Sequence, residues 1–145
     1  MVLPAMRRYN HCLFTVLTEL YNNALDHGLL RLTSELKTGK LGFDHFYSQR
    51  KQALGALDSG WIELSIDFNA DKMGASIQID VRDSGVGFDL SQFALGDILP
   101  LSESVLNQKT QMHGRGIALV GSLCERLNYL GCGNHARALM QLSFQ

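Results

Sequence analysis

The sequence predicts an α+β fold, a two-layer sandwich with helices on one face of a mostly antiparallel, mixed sheet. Two observations carry that expectation. Apolar residues recur at helical spacing before Gly60, and they alternate with polar ones directly after it. A chain of 145 residues also has room for one compact domain and little else.

The elements follow in order. From Met6 to about His27 there is neither Gly nor Pro, and Leu13, Leu17, Leu20, Ala24 and Leu25 fall near a helical repeat. This stretch reads as one long helix ended by Gly28. Leu29 to Leu36 reads as a short second helix before the Lys37-Thr38-Gly39-Lys40 turn. Phe43, Phe46, Tyr47, Leu54 and Leu57 mark another helix, closed by Asp58-Ser59-Gly60. Ile62, Leu64, Ile66 and Phe68 alternate with Glu63, Ser65 and Asp67, the pattern of a half-buried strand. Asn69 to Gly74 is a hairpin-type connection, and Ile77, Ile79 and Val81 form the returning strand. From Ser84 to Gly114 no regular period holds, and so long a loop in a small domain is usually functional or mobile. Ile117, Val120, Leu123, Cys124 and Leu127 give a helix opening at Gly116. Asn128 to Cys132 and Arg137 to Phe144 read as a closing strand pair.

Composition narrows the function classes. Thirteen basic side chains face fourteen acidic ones, which argues against nucleic acid bound through a broad phosphate-neutralising surface. No apolar run approaches the roughly 20 residues of a membrane span, and Met1 to Met6 is too short for a signal-peptide core. Cys12, Cys124 and Cys132 are widely spaced and form no C-x-x-C pair. They read as free thiols of a protein in the reducing cytoplasm.

Three motifs carry chemistry. In Glu19-Leu20-Tyr21-Asn22-Asn23-Ala24-Leu25-Asp26-His27-Gly28, Glu19 and Asn23 project from one helix face a turn apart. Beside a nucleotide, the amide oxygen suits Mg²⁺ and the carboxylate suits accepting a proton. On spacing alone, a solvated helix face accounts for the same pair. In Asp83-Ser84-Gly85-Val86-Gly87-Phe88, an Asp at a strand end precedes G-x-G. The carboxylate can accept a hydrogen bond from an exocyclic amine while the glycines admit a ligand close to the backbone. A tight turn with a capping Asp also fits. In His113-Gly114-Arg115-Gly116-Ile117-Ala118-Leu119 a glycine stretch runs into a helix, where free N–H groups favour an anion and Arg115 adds a charge. An ordinary helix start with a surface Arg fits too, and no G-K-[ST] makes it a P-loop.

The order of these motifs resembles the GHKL ATPases, the superfamily of histidine kinases and gyrase with the Bergerat fold. Glu19 to Gly28 looks most like the anti-sigma-factor serine/threonine kinases, whose helix reads close to E-L-x-x-N-A-x-x-H-G and whose second glycine box reads close to G-R-G-L. The resemblance covers roughly Leu13 to Phe144. It implies Glu19 as catalytic base for a serine or threonine of a protein substrate and Asn23 as the Mg²⁺ ligand. It implies Asp83 at the adenine amino group, with Gly85 and Gly87 keeping that pocket open. It places Gly114, Arg115 and Gly116 at the phosphates of ATP, His113 and Ile117 among the cofactor-binding residues, His27 at a matching motif position, and Ser84 to His113 as the ATP lid. Members carry a Gly-Thr pair before the last strand, whereas here the stretch is His135-Ala136-Arg137-Ala138-Leu139-Met140. Gly42 to Arg50 is similar to the kinase-like domain fused behind a receiver and a serine phosphatase in some proteobacterial response regulators.

The resemblance therefore implies a kinase acting on an anti-sigma-factor antagonist in a partner-switching pathway, with a sigma factor as a further partner. A non-catalytic module holding nucleotide or partner is the second expectation, and a histidine-kinase catalytic domain the third. The related kinases have an edge strand before the Glu/Asn helix. Here that helix begins almost at Met6, so a fragment of a longer regulator, with an open sheet edge able to form a homodimer, is expected.

Overall fold

The computed structural model describes residues 7–32, 42–87 and 116–144. Helix α1 (Asn10–Asn23) follows a 3₁₀ turn at Arg7–Tyr9 and runs on without a break into a π-helical turn, Ala24–Leu29. Helix α2 spans Gly42–Gly55, and residues 116–123 form α3. The strands are β1 (Ile62–Ala70), β2 (Gly74–Asp83), β3 (Arg126–Leu130) and β4 (His135–Ser143). They form one sheet in the order β1-β2-β4-β3, antiparallel at every pairing.

Register explains which residues form the core. Val81, Ile79 and Ile77 of β2 sit opposite Ala136, Ala138 and Met140 of β4, so one sheet face is continuously apolar. Val16, Leu20 and Ala24, four residues apart on α1, lie over it together with Val120 of α3 and Leu127 of β3. Helices thus layer on one face of an antiparallel sheet, as the change of period predicts. The Tyr9 hydroxyl donates to the Ser143 carbonyl (2.7 Å) and accepts from the Ser143 N–H (3.1 Å), which ties the start of α1 to the end of β4. The β1–β2 turn closes on Asp71, whose Oδ1 accepts from the Met73 and Gly74 N–H groups.

Several boundaries differ from the sequence reading. Helix α3 ends at residue 123, and Leu127, expected on it, lies instead in β3, which begins at Arg126 and pairs Leu127 with Ala138. The first helix does not stop at Gly28, because the Leu30 N–H reaches five residues back to Leu25 at 2.9 Å and adds a wider turn. No second helix opens at Leu29: Arg31 takes φ +53 and the Leu32 N–H turns back to the Asp26 carbonyl at 2.8 Å. The rest of that expected helix, 33–36, lies outside the described residues. The third strand ends at Leu130 rather than Cys132, since Gly131 and Gly133 adopt positive φ and make the turn. Most of the lid, from Phe88 onward, also lies outside the described residues. No helix among the described residues is long and apolar enough to cross a membrane.

Candidate functional site

The π turn after α1 delivers Gly28 to the end of β2. A Cβ on Gly28 would lie 2.6 Å from the Asp83 carboxyl carbon, so only glycine fits beneath this carboxyl group. Gly85 is held on the other side: its N–H donates to Asp83 Oδ1 at 2.8 Å. A Cβ there would strike the Gly28 carbonyl oxygen. Gly87 has φ +75, and a Cβ on it would collide with the Cys132 carbonyl. Gly85 and Gly28 therefore let backbone close in on Asp83, while Gly87 lets it close on the Cys132 turn.

Asp83 is clamped through its main chain. Its N–H donates to the Asn134 carbonyl (2.9 Å), and its carbonyl accepts from the Asn134 side-chain amide (3.0 Å). Next door, the Ser84 N–H donates to the Trp61 carbonyl and Ser84 Oγ accepts from the Trp61 N–H. The side chain is buried, and burial pushes its carboxyl above the ordinary carboxylate range, a push only partly offset by the Gly85 N–H. Burial first, and then the Asp83 charge, hold the Tyr129 phenol well above its usual range.

About nine residues earlier on the same helical run, a second junction forms. A Cβ on Gly116 would overlap Glu19 Oε2, so the Glu19 carboxylate rests on the first described residue of α3. Ile117 packs against the core beside it. Asn23 stands one turn after Glu19, and its buried Nδ2 finds no hydrogen-bond partner among the described residues. A buried amide end without a partner is costly. His27 gives its Nδ1 proton to the Leu32 carbonyl at 2.5 Å, so one ring nitrogen is committed to holding the turn.

Of the residues expected at the site, Glu19, Asn23, His27, Asp83, Gly85, Gly87, Gly116 and Ile117 are described. Asp83 and Gly85 lie against Gly28 and Gly116 lies against Glu19, whereas Gly87 lies against Cys132. His113, Gly114 and Arg115 lie outside the described residues.

Two polar clusters had no counterpart in the sequence reading. Asp26, buried in the π turn, accepts from Arg50 Nε of α2 at 2.6 Å. On the outer sheet face, buried Asp80 accepts from His135 Nε2 (2.5 Å), Arg137 Nε (2.8 Å) and Gln78 Nε2 (2.9 Å). The only sequence signal for the second was a carboxylate in a strand that the register sets opposite Arg137. Cys124 is partly buried, which pushes its thiol up to about 11, so it is an inert thiol at neutral pH. Cys132 is exposed.

Compared with protein-family models, with curated proteins and with solved structures, the chain matches none.

Proposed function

We propose that this chain is a GHKL-type, ATP-dependent serine/threonine protein kinase domain whose substrate is an anti-sigma-factor antagonist. The observation that carries the reading is convergence. Motifs more than ninety positions apart in sequence, from Glu19 to Gly116, meet along one helical run. Asp83 and Gly85 pack on Gly28 at one end, and Gly116 packs on Glu19 nearer the other. Glu19 and Gly28 are separated by about 13 Å of helix at ~1.5 Å per residue. That spacing suits the adenine and phosphate ends of one extended nucleotide.

In this reading Asp83 Oδ1 is occupied by the Gly85 N–H, leaving the second carboxyl oxygen for the adenine amino group. The main-chain clamp by Asn134 holds that oxygen in place, and preorganisation of this kind is what phosphoryl transfer chiefly requires. Asn23 fits the Mg²⁺ role: half a turn of its amide puts Oδ1 in the unpartnered position. Bound there, Mg²⁺ would offset phosphate charge. Glu19 would accept the proton of the substrate hydroxyl, and the helix start at Gly116 would favour phosphate oxygens.

The same Glu19–Gly116 contact favours a second reading. A carboxylate beside a helix start is stabilising by itself, so Glu19 would also serve a binding module that transfers nothing. Incubation with γ-labelled ATP, Mg²⁺ and the antagonists of the same genome separates the two. Label is expected on a serine or threonine of the antagonist. Glu19→Ala should cut that transfer by ~10²–10⁴-fold, the range for a positioned base, with ATP affinity nearly unchanged. ATP binding by the wild type without any transfer would leave the binding module as the function.

A further inference from the structure

The π turn Ala24–Leu29 touches α2, the end of β2 and the residue ahead of Trp61. Asp26 receives Arg50 of α2, and Gly28 lies beneath the Asp83 carboxyl. A Cβ on Gly60 would fall 3.2 Å from Leu29 Cδ2. A π turn is a rare backbone form that seldom extends beyond one turn, so contacts of this kind set its path.

The contact with α2 is ionic and buried. Asp26 is 6% exposed, and a carboxylate so deep in the fold needs a cation beside it. Arg50 Nε supplies one at 2.6 Å from Oδ1. Phe46, one turn earlier on the same face of α2, is buried as well. Arg50 therefore stands on a docked stretch of helix and meets a fixed partner. Within the turn, the Leu32 N–H returns to the Asp26 carbonyl and His27 Nδ1 meets the Leu32 carbonyl, so Asp26 and Gly28 move together.

At the other end of the turn the clearance is small. A Cβ on Gly28 would fall 2.6 Å from the Asp83 carboxyl carbon, and one on Gly85 would strike the Gly28 carbonyl oxygen. Asp83 is 5% exposed beneath this packing. A turn that backs away by about one ångström would admit water to the carboxyl and disturb the Gly85 N–H bond to Oδ1. Misplacement on the order of 1 Å in a binding site can cost ~10²-fold in function.

We infer that Arg50 is a positioning residue of the Asp83 site: its ion pair with Asp26 fixes the π turn that seats Gly28 beneath the carboxyl, so the docking of α2 sets the pocket's hold on its ligand. For the identity of that ligand, adenine, the inference rests on the function proposed above. Without Arg50 the Asp26 charge is buried and unpaired, and the turn opens to hydrate it. With Asp26 made neutral as well, that drive is gone.

Carbon-13 NMR titration of the Asp83 carboxyl in the whole chain, without nucleotide, tests the mechanism. The wild-type carboxyl should titrate above the ordinary carboxylate range. In Arg50→Ala it should fall back toward that range, because water takes the place of Gly28. Arg50→Gln is the replacement should Arg50→Ala not fold. Adding Asp26→Asn to either should return the titration toward wild type. Calorimetry with Mg²⁺-ATP should show affinity lowered by about two- to thirtyfold in the Arg50 variant, the range for a residue acting on a ligand through others. Stoichiometry should stay unchanged, whereas a partly unfolded protein would lose stoichiometry instead. A folded Arg50 variant with the wild-type Asp83 titration overturns the inference, as does one with wild-type ATP affinity. A double variant no closer to wild type than the single overturns it too. Should the wild type bind no ATP, the nucleotide reading falls, and the titration still decides the role of Arg50.

Discussion

Asp83 is a buried carboxyl whose own burial works against its charge. A carboxyl raised in the folded state contributes stability that is complete below its unfolded pKa and is lost as pH rises through its folded one. At neutral pH burial of the charged side chain therefore works against the fold. Asp83→Asn, neutral and of similar shape, should melt at a higher temperature than wild type at pH 7, with the advantage shrinking toward pH 4. The same substitution should weaken ATP binding about tenfold or more, the ~1.5–3 kcal/mol of a hydrogen bond to a charged group. Calorimetry and thermal melts on one pair of proteins read both effects. Gain of stability with loss of binding is the signature of a functional group, and equal ATP affinity would remove Asp83 from the adenine site. Asp83 was legible in the sequence because it ends an alternating strand and opens G-x-G. The contact of Gly28 with it was not, since that depends on the path of the π turn.

At the scale of elements, the sheet carries a polar structure on the face away from the helices. Burial alone would raise Asp80, but hydrogen bonds from His135, Arg137 and Gln78 outweigh it and hold the carboxyl below its ordinary range. A depressed carboxyl contributes stability that is present above the unfolded pKa and lost as pH falls through the folded one. Asp80→Asn should therefore cost about 1–3 kcal/mol at pH 7, with the gap to wild type closing as pH falls below about 4. Denaturant unfolding at several pH values measures this. The stretch His135-Ala136-Arg137 opens β4. Here it supplies two partners of Asp80, and Ala136 alone of the three turns to the core. Periodicity showed the strand but not the cluster, because pairing across β2 and β4 is set by register. Helix α2 follows the same rule: its apolar stripe was legible, whereas its anchorage by Arg50 to Asp26 joins residues that no local pattern connects.

For the whole molecule, a nucleotide that binds the folded chain alone must raise its stability by mass action. Mg²⁺-ATP at about one hundred times its dissociation constant should add about 2.7 kcal/mol. That amounts to a rise of several degrees in melting temperature for a domain of this size. The shift should need Mg²⁺ and fall to about half or less at the same ATP concentration in Asp83→Asn, where binding is about tenfold or more weaker. A melting temperature indifferent to ATP would remove the nucleotide from the proposal.

What the sequence determined by itself was the class of each segment. Helical spacing before Gly60 and alternation after it set the α+β order, because the side-chain period of each backbone form is a local property. It also offered Glu19, Asn23 and Asp83 as candidate site residues, since each stands at a position where its element ends or presents a face. Only the tertiary structure decided that Gly28 lies under Asp83, that Gly116 meets Glu19, and that the Asn23 amide is left without a partner among the described residues. It also decided that Leu64, Ile66 and Phe68 of β1 are left about half exposed, although the same alternation in β2 is buried. The reason is physical. Period reports which side of an element is apolar, but whether that side is covered depends on how many helices lie across the sheet and where their anchors hold them.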